Sequence, residues 1–264
     1  GLGWAAWIIN VFGAYAPVED IDNLKRAVLQ DTFRTVPFDN LRDYQNEDVL
    51  HILKYRFGLV TVQTGYGKTE VIATLTDYFV GLGRRVLIVA PGSKARDELV
   101  KRIRSKFGHE ISTELVSTAK TKKGKDLAGR ARVTALITQG FMGRSELKDP
   151  GVEPTVAAEI SGFDVILADE VEYCINPAGD YIFSAARGAT CRYAFSGTAD
   201  KGNGSMISFQ NGLTDPAVSK NIGLIKYFGP SLVYRKPLDR IVNLVELQTS
   251  AFYDVDFGDI LEDS

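Results

Sequence analysis

One stretch constrains this chain more than any other: Val60-Thr61-Val62-Gln63-Thr64-Gly65-Tyr66-Gly67-Lys68-Thr69-Glu70. The β-branched run Leu59-Val60-Thr61-Val62 predicts a buried strand. It empties into a glycine-containing loop, and a helix is expected to begin near Lys68 and run to about Leu82. Strand, loop and helix in that order are the setting of a phosphate-binding loop. The residue types suit that chemistry. Gly65 and Gly67 let backbone N–H groups turn toward an anion with no side chain in the way, and the helix N-terminus adds positive partial charge there. Lys68 can reach the β- and γ-phosphates of a nucleotide, and the Thr69 hydroxyl can hold Mg²⁺. The generic pattern asks for glycine five residues before Gly67, where this chain has Val62.

The rest of the chain supplies a sheet for that loop to sit on. Arg84 to Ala90, Arg132 to Thr138, Phe163 to Ala168 and Cys191 to Ser196 read as strands, with a weaker one from Ile111 to Thr118. Helices are expected from Val18 to Phe33, from Leu41 to Tyr55, and from a cap at Ser93 to about Phe107. The stretch Lys120 to Arg130 reads as a basic, exposed loop. Strands alternating with helices imply an α/β fold: a mainly parallel sheet with helices on both faces.

Charge and cysteine content narrow the function classes. With 264 residues, 45% hydrophobic and 24% charged, the chain has the make-up of an ordinary globular protein. Its net charge of −2 gives no global pull toward nucleic acid, so such binding would rest on local patches. Cys174 and Cys191 form no disulfide framework, which suits a cytoplasmic, intracellular setting. The apolar opening Gly1 to Phe12 is too short to span a bilayer and reads as a buried terminal element, with no membrane role.

A second chemical signal lies about a hundred residues after the loop. Phe163-Asp164-Val165-Ile166-Leu167-Ala168 is an apolar strand ending in Asp169-Glu170. An aspartate there can hold the Mg²⁺ of a bound nucleotide, and the next glutamate can orient or deprotonate water. An Asp-Glu pair at a strand end is common on protein surfaces. The phosphate-loop pattern upstream is what turns this one toward function.

With both signals in hand, the chain resembles the superfamily 2 helicases and translocases. Thr64-Gly65-Tyr66-Gly67-Lys68-Thr69 looks like their motif I, Asp169-Glu170-Val171-Glu172 like motif II (the DExx box), and Ser196-Gly197-Thr198 like motif III. Leu41-Arg42-Asp43-Tyr44-Gln45 resembles the adenine-reading motif, in which the glutamine amide bonds the adenine edge. Ala90-Pro91-Gly92-Ser93 resembles motif Ia, and Thr138-Gln139-Gly140 sits where motif Ib falls. The departures are Glu172, where many relatives have His or Asp, and Gly197 in place of a frequent Ala.

The resemblance implies a RecA-like, P-loop ATP-binding lobe over residues 41–249. A short helical extension over 1–40 packs on it, and 250–264 form an acidic tail or the start of a linker. It implies ATP and Mg as cofactors, with Lys68, Asp169 and Glu170 catalytic and Thr69 and Asp169 at the metal. Arg42, Gln45, Thr64, Gly65, Tyr66, Gly67, Lys68 and Thr69 would contact the nucleotide. Glu172, Ser196 and Thr198 would couple hydrolysis to movement. Ser93, Lys94 and Thr138 would touch a nucleic acid, DNA in preference to RNA, with Arg96, Lys101, Arg102 and Arg104 adding charge and Lys120, Lys122, Lys123 and Lys125 forming a second cluster. A helix over 216–226 and a strand over 242–247 would lead to a second lobe with its arginine finger, which the resemblance places outside this chain. Two further readings stay open: a non-catalytic, nucleotide-gated binding module, and the motor portion of a restriction or remodelling enzyme.

Overall fold

Val86-Leu87-Ile88-Val89-Ala90 carries five apolar side chains in succession, and such a strand is stable only where both faces are covered. In the computed structural model none of the five is exposed to solvent. The structure describes residues 29–30, 32–62, 65–139, 141, 153–197, 227–229 and 231–235.

Along the chain the helices and strands are α1 (Asp43–Ile52), β1 (Phe57–Val62), α2 (Lys68–Gly81), β2 (Val86–Ala90), α3 (Ser93–Phe107), β3 (Ile111–Ser112), α4 (Lys122–Arg130), β4 (Val133–Ile137), α5 (Glu153–Ser161), β5 (Val165–Ala168), α6 (Val171–Cys174), α7 (Pro177–Ala185), β6 (Cys191–Ser196) and β7 (Ser231–Arg235). Every described ladder between these strands is parallel. This is the expected α/β, RecA-like class.

The chain divides into two compact units. The larger spans Phe38–Leu41 and Gly67–Phe195 and carries its strands in the order β3-β4-β2-β5-β6. β2 is central here: Ile88 pairs with Ala135 on one side and Leu167 on the other. The other unit includes Arg42–Tyr66 and β7. There β1 runs parallel to β7, with Val60 opposite Val233 and Val62 opposite Arg235. Gly58 is small because a Cβ would come within 2.3 Å of Leu232 Cδ1.

Several boundaries differ from the sequence expectation, each for a local reason. Leu29 and Phe33 are not helical; Leu29 forms an antiparallel bridge with Tyr55. The strand expected to reach Thr118 stops at Ser112. The amides of Val116 and Ser117 donate to the Glu159 carboxylate, at 2.6 and 3.0 Å, instead of to a ladder. The basic stretch expected as a loop contains α4, whose first turn is closed by Thr121 Oγ1 accepting from Gly124 N at 3.0 Å. Ser93 is not a cap: Gly92 holds that position, and Ser93 is the first helical residue. α7 begins on a legible signal that sequence reading passed over. Asn176 accepts from Ala178 N and Gly179 N, both at 3.0 Å, with Pro177 at the first helical position. The extension over 1–28, the helix over 216–226, the strand over 242–247 and the tail over 250–264 lie outside the described residues.

α6 and α7 meet closely at one glycine. A Cβ on Gly179 would lie 1.8 Å from the carbonyl oxygen of Cys174, a backbone atom that cannot step aside. Gly179→Ala is expected to cost about 2 kcal/mol or more. Gly81→Ala, at the end of α2 with nothing within 4 Å of its Cβ, should be neutral or stabilising by up to about 1 kcal/mol. Thermal unfolding of the two variants checks the contrast, and equal melting temperatures would refute it.

Candidate functional site

The loop after β1 turns on two glycines. Gly65 (φ 88°) and Gly67 (φ 90°) both occupy the left-handed region that L side chains avoid. Gly67 caps α2, and its carbonyl accepts from Glu70 N at 3.0 Å and Val71 N at 3.2 Å, closing the first turn. Lys68 and Thr69 are therefore the first two helical residues, at the end where the helix dipole favours an anion. Both are half-buried, and both glycines are exposed. Thr64 lies outside the described residues.

Tyr66, expected to contact nucleotide, is only 1% exposed. Its hydroxyl donates to Asp48 Oδ2 of α1 at 2.7 Å. Its carbonyl accepts from Gln45 Nε2 at 2.8 Å and from the Tyr44 hydroxyl at 3.3 Å. The Tyr66 ring thus faces α1, and what it can offer an anion is backbone. Gln45 is itself 3% exposed, and its Oε1 accepts from Arg42 N at 3.0 Å. That leaves the amide one N–H and one lone pair, the pair of functions an adenine edge requires. The Arg42 guanidinium, on the exposed side, donates to the Tyr44 hydroxyl at 2.9 Å.

At the end of β5, Asp169 is 7% exposed, and its backbone N–H donates to Val89 O at 2.9 Å. Burial pushes its carboxyl up to about 6; Lys68 opposes the rise, while Glu170 and Glu172 add to it. Glu170 is exposed and left-handed (φ 44°, ψ 49°), the one described non-glycine residue with positive φ. Backbone in that region costs of order 1–3 kcal/mol and persists where surrounding structure enforces it. Beneath, the buried Cys174 thiol lies 3.5 Å from Asp169 O. Burial, with Asp169 and Glu172 beside it, raises that thiol's pKa far above its ordinary value, so it stays protonated and inert. Glu172 is half-buried, with its Oε2 wholly enclosed.

The loops after β2 and β4 are tied to each other and to α7. Thr138 N donates to Ala90 O at 3.0 Å, Gln139 N donates to Pro91 O at 3.1 Å, and Asn176 Nδ2 donates to Thr138 Oγ1 at 3.3 Å. Thr138, expected to touch nucleic acid, is 3% exposed and acts here as a structural tie. Among the described residues here, Gln139 and the first two residues of α3, Ser93 and Lys94, are exposed. Arg102, expected to add charge beside those contacts, pairs with Glu70 of α2, as does Lys106. Arg104 donates to Ile111 O at 2.8 Å, and Arg96 pairs with Asp97 at 2.7 Å. Ser196 is fully buried at the end of β6; Thr198 lies outside the described residues. No cluster of three or more His, Cys, Asp or Glu side chains able to hold a metal occurs among the described residues. A magnesium ion held by Thr69 and Asp169 would therefore take its remaining ligands from phosphate and water, its usual habit.

Residues 38–187, more than half of the chain, match the family described as the type III restriction enzyme, res subunit. The chain belongs to this family. It carries the RecA-like lobe of a superfamily 2 helicase, a helicase-like ATPase motor domain. Solved structures with the same fold include the UvsW helicase of bacteriophage T4, at 18% identity and TM-score 0.50, covering 82% of this chain and 67% of that one. A second T4 UvsW structure matches at 16% identity and TM-score 0.53, over 87% of this chain and 44% of that one. The Hef helicase domain of Pyrococcus furiosus matches at 16% and 0.51, over 72% and 37%. No curated protein matches the chain in sequence. Among the described residues no helix is long and apolar enough to cross a membrane.

The buried carboxyl gives a pH-dependent prediction. Its folded pKa of about 6 lies above the unfolded value of about 3.9, so the folded state holds the proton more tightly. The stability contributed by this group therefore falls as pH rises from about 4 to about 6, and is level beyond. Asp169→Asn should be more stable than the parent at pH 7 by on the order of 2 kcal/mol, with the gap closing toward pH 4. Denaturant unfolding at a series of pH values checks this; a gap independent of pH would count against it.

Proposed function

We propose that this lobe binds Mg·ATP and hydrolyses it in response to nucleic acid. The observation that carries the reading is geometric: Lys68 and Thr69 open α2 directly after the left-handed Gly67, and in the same compact unit Asp169 is buried at the end of β5 with its carboxyl raised to about 6. A buried acid that close to neutrality is poised to meet a cation.

In this reading the amides of the Gly65–Gly67 turn and Lys68 hold the β- and γ-phosphates. Thr69 and Asp169 hold magnesium, and magnesium, when bound, neutralises charge on the phosphates. Gln45 reads adenine with the N–H and lone pair it has left. Glu170 orients a water and takes its proton as the water oxygen bonds to the γ-phosphorus. The bond from that phosphorus to the bridging oxygen breaks, and ADP leaves. Glu172, Ser196 and Thr198 are assigned to coupling, and Ser93 and Lys94 to a nucleic acid backbone.

The family's description as a restriction enzyme subunit favours DNA over RNA, and a restriction motor over a remodelling one. The chain spans 67%, 44% and 37% of the three helicase chains described above. The resemblance to the superfamily 2 motors adds to the proposal a second lobe that supplies an arginine finger.

The test is steady-state ATP hydrolysis with single-stranded DNA, duplex DNA or RNA, using Lys68→Ala as the blank. Glu170→Gln is expected to bind Mg·ATP as the parent does and to turn it over about 10²–10⁴-fold more slowly. Mg²⁺-dependent ATP binding that Lys68→Ala abolishes, with little turnover, would fit a lobe awaiting its partner. A parent chain that neither binds nor hydrolyses ATP would overturn the reading.

A further inference from the structure

The residue between the two loop glycines is an anchor. Gly65 and Gly67 both sit at positive φ, a region glycine enters and leaves with little cost, so the loop carries little intrinsic stiffness of its own. Between them, Tyr66 is almost wholly enclosed, and so is its partner Asp48 at 1% exposure. The phenol donates to Asp48 at 2.7 Å, the carbonyl of the same residue accepts from Gln45 and Tyr44, and the Tyr44 and Tyr66 rings lie 5.4 Å apart. Two ends of one residue are thus fastened to the same helix, α1.

Peptide geometry then fixes the next group. The Tyr66–Gly67 peptide is trans and planar, so its C=O and N–H point in opposite directions. With the Tyr66 carbonyl held by Gln45 and Tyr44, the Gly67 N–H is turned to the opposite side of that peptide. We infer that Tyr44, Asp48 and Tyr66 are positioning residues that preset the phosphate-binding conformation of the loop by holding the Tyr66–Gly67 peptide in one orientation. The inference rests on the loop being a phosphate site, but it assigns work to three side chains that need touch no ligand.

The experiment measures binding of Mg·ATP and of inorganic tripolyphosphate, which has no base, to the full chain and its variants, with the melting temperature recorded for each. Tyr66→Phe keeps the ring and removes the hydroxyl. It should weaken both ligands by the same factor, roughly 10- to 100-fold, the usual weight of a hydrogen bond to a charged group. Asp48→Asn, which still offers the phenol an oxygen, should restore most of the affinity that Asp48→Ala loses. Should Tyr66→Phe fail to fold, Tyr44→Phe decides instead. Tyr44 is half-buried, and loss of its hydroxyl should leave the melting temperature unchanged while weakening both ligands roughly 2- to 10-fold. Parent-like affinity for both ligands in folded Tyr66→Phe or Tyr44→Phe overturns the positioning role and leaves the nucleotide reading standing. A loss confined to Mg·ATP overturns it too, by moving the effect to the base. A parent chain that binds neither ligand overturns the positioning role and the nucleotide reading together.

Discussion

A parallel strand buried on both faces has room for polar side chains only at its ends, and β2 and β5 impose that rule on the larger unit. All five residues of β2 are without exposure, and β5 is buried throughout. The chain's polar chemistry is therefore displaced to the carboxyl ends of the strands, the region where open α/β sheets bind ligands. Asp169 follows β5 directly, Pro91 follows β2 and Thr138 follows β4. Because β2 lies between the other two in register, these three positions arrive together. The close bonding of Thr138 to Ala90 and Asn176 follows from that registration.

The same rule explains why so much of the fold was legible. Largely apolar runs reported β2, β4, β5 and β6 to within a residue or two, and Gly67-Lys68-Thr69 marked the start of α2. What the chain concealed are features settled by distant partners. Ile111 to Thr118 has the composition of a strand, but Glu159, more than forty residues away, takes the amides of Val116 and Ser117. The lysine-rich stretch reads as loop because its charges dominate, while Thr121 and the buried Ala128 make it a helix with a solvated face. For α7 the signal was present in Asn176-Pro177.

The candidate site divides in the same way. Lys68 and Thr69 at the start of α2, and Asp169 and Glu170 directly after β5, lie where the order of residues in the chain puts them, because near neighbours set those positions. Tyr66 reads as a ligand contact from its place between two glycines, and only α1, some twenty residues earlier, shows that it faces inward. Thr138 reads as a surface contact from its position at a strand end, but it is buried and its hydroxyl accepts from Asn176, the cap of a helix nearly forty residues later. Arg102 reads as one of a row of solvated bases, and its partner Glu70 lies on another helix.

That last pairing bears on how the loop looks to an approaching anion. Glu70 stands one position after Thr69 and puts a negative charge in the first turn of α2, where it suits the helix dipole but would repel a triphosphate. Arg102 and Lys106 grip its carboxylate, with Asn40 Nδ2 a further 3.4 Å contact. The acid is thus cancelled on the spot by two cations of α3. What the two cations leave at the mouth of α2 is Lys68, shared with the Asp169 carboxyl, and the amide dipoles of the helix start: a positive lens whose focus has been cleared of the acid in its own first turn.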